Sequence, residues 1–414
     1  VHRLLSLDAL RGVAVIFMME QHLGVWLWEP EHPGRSAISQ APGYMAINGL
    51  GGLAAPLFIT LAGIGCSLLV AAKLVPRPSA PELAPRPSAP ELASRPSAPE
   101  LAPRPSAPEL ASRPSAPELA SRPSAPERSV DITLVRRGLA LLGFGYLLNY
   151  LTPSWFSAGS WFVLHMMGFA IATAPLWRRL PTPALLAAEA LLFTASVAVQ
   201  SWLATPRLLD NQRMRDLDLP GGALRLALAE GQFPILPWLA LFLVGLAIGR
   251  WLLTDQHHRV GALCRACLLA GITLVALDFA ATRTPALEFL LRDPWWRLVR
   301  VRTSFFPAGP GIVLLLQAGV LLMLTVALRI ERSRELDPRG WLVCLGRGSL
   351  SLLLLHVVLF REISRPLGAW QAFDRYTSLA IIVAWIALCL LLCRAWQRIG
   401  YRYGSEWLLR RLGG

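Results

Sequence analysis

Charge is scarce in this chain of 414 residues: Asp, Glu, Lys and Arg make up 16% of it, against roughly 25% in an average soluble domain. With 54% of residues hydrophobic, that shortage excludes an ordinary water-soluble domain. Whole stretches carry no charge, 37 residues between Arg35 and Lys73 and 40 between Arg137 and Arg178. A membrane span takes about 20 mainly apolar residues, so each gap holds one or two crossings. Cysteine is also sparse. The six cysteines fall mostly inside apolar runs, and Cys264 and Cys267 form one CxxC without the second pair that a structural zinc site needs, so no metal is expected. No cleavable leader is read at the start: the first apolar run continues past any small-residue cleavage site and reads as a retained span. The net charge of +14 does not imply nucleic acid, because the arginines sit in short clusters at helix ends and form no basic face.

What is present is a series of apolar runs. Helices are predicted near 5–27, 47–72, 131–150, 160–178, 183–203, 234–253, 261–281, 308–329, 340–361 and 378–397. The fold class is therefore all-α, a polytopic membrane bundle of about ten transmembrane helices. With the N-terminus inside, inner segments hold 25 Lys and Arg against 13 in outer loops. The more basic side stays cytoplasmic, so both termini are expected there, in the plasma (inner) membrane.

Between the second and third helices lies a nonapeptide array, RPSAPELA followed by Pro or Ser, in five full copies from Arg77 to Ser121 and a truncated sixth ending at Arg128. Proline every few residues excludes helix and sheet and predicts an extended, disordered linker. The array serves either as a docking site for a partner or as repeat expansion in a tolerant loop. It divides the chain into residues 1–75 with two helices, the loop at 76–128, and residues 129–414 with the remaining eight helices of the same domain.

The first helix carries the densest chemistry. SLDALRGVAVIFMMEQHL places Asp8, Arg11, Glu20 and His22 in or beside one apolar helix, where ionisable groups are costly and so are functional candidates. The eleven-residue step from Arg11 to His22 is three turns plus about 20°, so the two share a face about 16 Å apart along the axis. Asp8, three residues before Arg11, is placed to pair with it. Glu20 points nearly opposite His22. Taken alone, His22 reads more readily as a residue resting at the outer membrane interface than as a functional group.

With this spacing, SLDALRG resembles the first helix of the transmembrane acyltransferases, both acyltransferase-3 proteins and heparan-alpha-glucosaminide N-acetyltransferase-like proteins. The second group is the more similar, over nearly the whole chain outside the repeats. GLAAPLFITLAG at 52–63 resembles its second helix, and FPILPWLALFLVGLAIGR at 233–250 its Pro-x-x-Pro-Trp helix. FFPAGPGIVLLLQAGVLLML and LGRGSLSLLLLHVVLF look like its late helices, and YRYGSEWLLRR resembles the closing segment of a related family. The chain departs from bacterial relatives at Gln21, where they often have Asp, and at Gly52, where they have His.

The resemblance implies an acyltransferase that takes an acyl group, expected to be acetyl, from cytoplasmic acyl-CoA and delivers it to a sugar hydroxyl or amine of a glycan or glycolipid. Acetyl-CoA or another acyl-CoA is the implied donor, and the bilayer and a saccharide acceptor are the implied partners. His22, Arg11 and Asp8 are the implied catalytic group, with His22 as base or acyl carrier. His165 and His356 match positions where the family has histidine and form a possible second polar cluster; each could instead only bond a carbonyl. Arg347 either snorkels to the interface or meets the phosphates of the donor. The alternative from another class is a transporter or flippase whose polar groups line a solute path. Oligomeric state is not readable from the sequence.

Overall fold

In the computed structural model the described residues are 4–29, 49–74, 124–206, 208–292 and 306–413. The five full nonapeptide copies from Arg77 to Ser121 lie outside them. The truncated sixth copy, expected to belong to the extended loop ending at 128, is already helical from Ala125, with Pro126 in the first turn, where its missing N–H breaks no intrahelical bond. Among the described residues the regular structure is all helical, and the one β contact is an isolated bridge between Trp28 and Phe373.

The principal helices are α1 (Leu5–Leu27), α2 (Ala54–Leu74), α3 (Ala125–Leu151), α4 (Val163–Trp177), α5 (Thr182–Trp202), α6 (Ile235–Leu253), α7 (His258–Ala281), α8 (Pro310–Ser333), α9 (Trp341–Arg347), α10 (Ser349–Val357), α11 (Arg375–Gln397) and α12 (Ser405–Gly413). Each of the ten predicted segments is helical, but the expected count of about ten spans is not confirmed. Six helices among the described residues are long and apolar enough to cross a membrane, and a bent pair makes a seventh. The shortfall has physical causes. Asp8, Arg11 and Glu20 lower the apolarity of α1, Arg128, Asp131, Arg136 and Arg137 that of α3, and α4 has only 15 residues. The bent pair is α9 with α10 and its continuation to Ile363, which turn by 72° at Gly348.

A membrane interior gives helices little hydrophobic reason to associate, so close approach by small residues matters more than in water. The sequence supplies it at the seams. A Cβ on Gly12 of α1 would collide with the carbonyl of Leu342 on α9, and one on Gly346 of α9 with the carbonyl of Asp8 on α1. Gly63 and Gly245 do the same between α2 and α6. α6 is apolar all round, as a central helix must be, and buries Trp238 and Leu239 through Ala247 among α2, α4 and α5. Outward faces are apolar and exposed, for example Leu139, Leu176, Leu191, Leu269 and Val383, as an integral membrane protein requires.

At the C-terminal end of α1 the chain 370–374 crosses over, with Gln371 N–H donating to the Trp26 carbonyl at 2.8 Å and Phe373 N–H to that of Leu27 at 3.1 Å. The far end of α1 is held to α8, where Glu331 accepts from the Leu5 N–H at 2.6 Å and from the Ser6 hydroxyl. Both ends of the helix that carries the predicted site are thus fastened.

Candidate active site

His22, one turn from the end of α1, meets His356 of α10. His22 Nδ1 and His356 Nε2 lie 2.9 Å apart, and the rings stack with centroids 5.2 Å apart. His356 Nδ1 lies 2.9 Å from the carbonyl oxygen of Leu352, one turn back on its own helix. A carbonyl only accepts, so His356 Nδ1 must carry the proton. Its Nε2 then accepts when the ring is neutral, and His22 Nδ1 must donate. The lone pair of His22 is thereby placed on Nε2. His356 is fully buried and His22 half-buried. Trp26 stacks on the His22 ring at 5.0 Å, and Trp155 meets it edge-on at 5.3 Å.

His22 lines a cavity of about 200 Å³ with Gln21, Trp26, Trp155, Asn211, Gln232, Phe233 and Arg361. Two loops that border it are held in place. Arg215 donates to the carbonyls of Pro153 at 2.9 Å and of Ser154 and Phe156 at 3.3 Å, fixing the segment that carries Trp155. Glu230 accepts from Arg225 at 2.7 Å, Thr205 at 2.8 Å and Arg213 at 3.1 Å, fixing the loop that supplies Asn211 and Gln232. Glu230 is outside the spans. Burial opposes its ionisation, but the bonds from Arg225, Thr205 and Arg213 outweigh it and hold the carboxyl below its ordinary range.

At the other end of α1, Arg11 Nη1 donates to Asp8 at 2.9 Å, as the three-residue spacing predicts. Asp8 also takes Arg347 Nε at 3.4 Å, so the three predicted residues form one cluster at the α9/α10 bend. Arg11 lines a second cavity of about 200 Å³, walled by Phe58, Ala62, Leu141, Met167, Leu350 and Leu353 and closed by Glu406 and Leu409 of α12. Ala55 borders the first cavity and Phe58 and Ala62 the second. At steps of three and seven residues they share one face of α2, as Arg11 and His22 share one face of α1. The two cavities therefore lie in line along the α1/α2 seam.

The predicted second cluster does not form as such. His356 belongs with His22, while His165 lies elsewhere, fully buried against Trp161, Phe162 and Tyr146 with its Nδ1 accepting from the Phe162 N–H at 3.3 Å. Glu20 is buried, and neither carboxylate oxygen has a hydrogen-bond partner among the described residues. Among the described residues no group of three or more His, Cys, Asp or Glu is arranged to hold a metal.

Arg361, Trp155 and Trp26 escaped the sequence reading. The signal for Arg361 was an arginine five residues beyond His356, which a regular helix turns by about 140° from that histidine. A π-helical stretch, Val358–Ile363, alters the winding there, and such irregular turns recur at functional sites.

The described residues thus form a polytopic helical bundle in which a directed histidine pair presents His22 to a cavity. The chain belongs to the heparan-alpha-glucosaminide N-acetyltransferase catalytic family, which it matches over residues 3–84 and 120–283, more than half of its length. No curated protein matches it. Asp8, Arg11, His22 and His165 fall inside the matched residues, whereas Arg347, His356 and Arg361 fall beyond them.

Proposed function

We propose that this membrane acetyltransferase moves an acetyl group from coenzyme A, entering at the Arg11 end of α1, to the amine or hydroxyl of a saccharide at the His22 end. The observation that carries this reading is the relay from the Leu352 carbonyl through His356 to His22, which leaves the His22 Nε2 lone pair for the cavity. His22 Nε2 takes a proton from the acceptor nitrogen or oxygen as that atom bonds to the thioester carbonyl carbon. The carbon–sulfur bond breaks, and the departing thiolate takes the proton back from His22. The same lone pair also suits direct attack on the thioester, with His22 carrying the acetyl group in between.

The lower cavity supports the donor side. Its walls are mainly apolar, Arg11 stands in it, and Arg347 shares the same carboxylate. The aligned cavities span the roughly 16 Å between Arg11 and His22, a run suited to an extended pantetheine arm, and the two arginines suit the phosphates of its nucleotide. Tryptophan rings beside His22 suit stacking against a sugar face. The expected orientation puts the Arg11 end and both termini in the cytoplasm.

The test is transfer of radiolabelled acetyl from acetyl-CoA to glucosamine by purified protein in liposomes. His22→Ala is expected to lower turnover by about 100- to 10,000-fold while leaving membrane insertion unchanged. Wild-type turnover should fall on the acid side, since the base must be unprotonated. Full turnover by the His22 variant would overturn the reading.

A further inference from the structure

A groove of about 490 Å³ opens between α10, α11 and the turn that leads into α12. Its two ends differ in chemistry. Ser351, Trp396, Tyr403 and Ser405 line one end, and one helical turn further along each helix Leu355 and Leu392 line the other. Both leucines are exposed, so the apolar end faces hydrocarbon. The change from aromatic and hydroxyl groups to leucine follows the passage from headgroup to hydrocarbon in a bilayer.

The headgroup end is firmly built. Trp396 Nε1 donates to the Arg402 carbonyl at 2.8 Å, and a Cβ on Gly404 would collide with the Trp396 ring, so the turn lies tight against that indole. Tyr403 holds a φ of 67°, unfavourable for a tyrosine, and keeps its ring 81% exposed at the groove. The charge there is one-sided. From Arg394 to Arg411 the chain carries five arginines, all exposed and none in an ion pair among the described residues. Glu406 is the one carboxylate in that stretch, and it is engaged by Leu350 and Ser351.

We propose that this groove binds an anionic glycerophospholipid of the surrounding leaflet, one acyl chain lying along Leu352, Leu355 and Leu392 and the phosphate meeting Arg402 beside Tyr403. Occupancy also steadies α12. Ser351 and Ser405 line the groove, and Ser405 N–H donates to the Ser351 hydroxyl, which donates to Glu406 of α12. Glu406 in turn closes the cavity in which Arg11 stands, so the lipid packs against the joint that holds α12 over that cavity. The site stands whether or not the chain transfers acetyl groups.

The probes are phosphatidylglycerol and phosphatidylcholine with the same acyl chains, added to delipidated full-length protein in detergent, with bound lipid read by native mass spectrometry. The wild type should prefer phosphatidylglycerol by about fivefold or more, the factor that one arginine contributes near an anionic surface. Arg402→Gln should remove most of that preference, and Leu355→Trp, which fills the groove, should weaken binding of both lipids. Both positions are exposed, so both variants should fold. Adding phosphatidylglycerol to phosphatidylcholine nanodiscs should also slow hydrogen exchange over residues 405–412 in the wild type and not in Leu355→Trp. Equal retention of the two lipids by the wild type, a preference that survives Arg402→Gln, or binding that survives Leu355→Trp overturns the site. A preference for phosphatidylglycerol with no change in exchange overturns its hold on α12.

Discussion

His22 and His356 stand 334 residues apart in the chain and share one 2.9 Å hydrogen bond, whose direction is set by the Leu352 carbonyl behind His356. His356 does not line the cavity that His22 lines, so it acts through its neighbour as a positioning residue. It fixes which nitrogen of His22 holds the lone pair.

The first prediction follows from that direction. His356→Phe keeps the buried ring but removes the acceptor, leaving His22 Nδ1 free to change tautomer. Turnover is expected to fall by about 10- to 100-fold, less than for loss of the base itself, with the KM for the sugar little changed. His356→Gln, which can still accept through its amide oxygen, should recover part of the loss. Equal activity of the Phe variant and the wild type would show that the pair plays no part in turnover.

Much of this arrangement was legible in the sequence, and the reason is helical arithmetic. The shared face of Arg11 and His22, the Asp8–Arg11 pair and the position of every predicted helix follow from the 3.6-residue period and the length of apolar runs. What the sequence could not supply was partnership across the bundle. That His356 and not His165 meets His22 depends on how α10 leans after the 72° bend at Gly348, and no periodicity encodes that angle. Arg361 was hidden for the same reason, since a π-helical stretch breaks the regular count that would have placed it.

The second prediction concerns the loops that border the His22 cavity. Glu230 is fully buried and pairs with the buried Arg225 and the partly exposed Arg213, and removing one partner of a buried pair costs about 3–5 kcal/mol because the remaining charge, here that of Arg225, stays buried. Glu230→Ala should therefore loosen residues 205–230 in hydrogen exchange and weaken sugar binding through Asn211 and Gln232. A pH dependence follows as well. The folded-state pKa of Glu230 is depressed, so its contribution is fully present above the ordinary carboxyl value of 4.5 and is lost as pH falls below it through the folded value. Exchange in residues 205–230 should rise in that acid window in the wild type and be flat there in Glu230→Gln. A wild type whose exchange is flat through the same window would contradict this assignment.

The last prediction concerns the opposite cavity, where a carboxylate from the end of the chain secures a helix break. After the bend at Gly348, α10 starts with unpaired backbone donors, as every helix does. Glu406 of α12 supplies the acceptor, taking the N–H groups of Leu350 at 2.6 Å and Ser351 at 3.0 Å and the Ser351 hydroxyl at 2.6 Å. Ser405 N–H returns a bond to the same hydroxyl at 2.8 Å. Glu406 thus acts as a helix cap delivered from another helix, and loss of a cap costs about 0.5–2 kcal/mol. Glu406→Ala should free α12, raising hydrogen exchange over residues 405–412 and at the start of α10 while the rest of the bundle stays protected. Since Glu406 and Leu409 also close the cavity in which Arg11 stands, the substitution should change the KM for acetyl-CoA and leave the KM for the sugar unaltered. Arg11→Ala should move the same constant, raising the KM for acetyl-CoA. If Glu406→Ala alters the sugar KM instead, the cavities have been assigned to the wrong substrates.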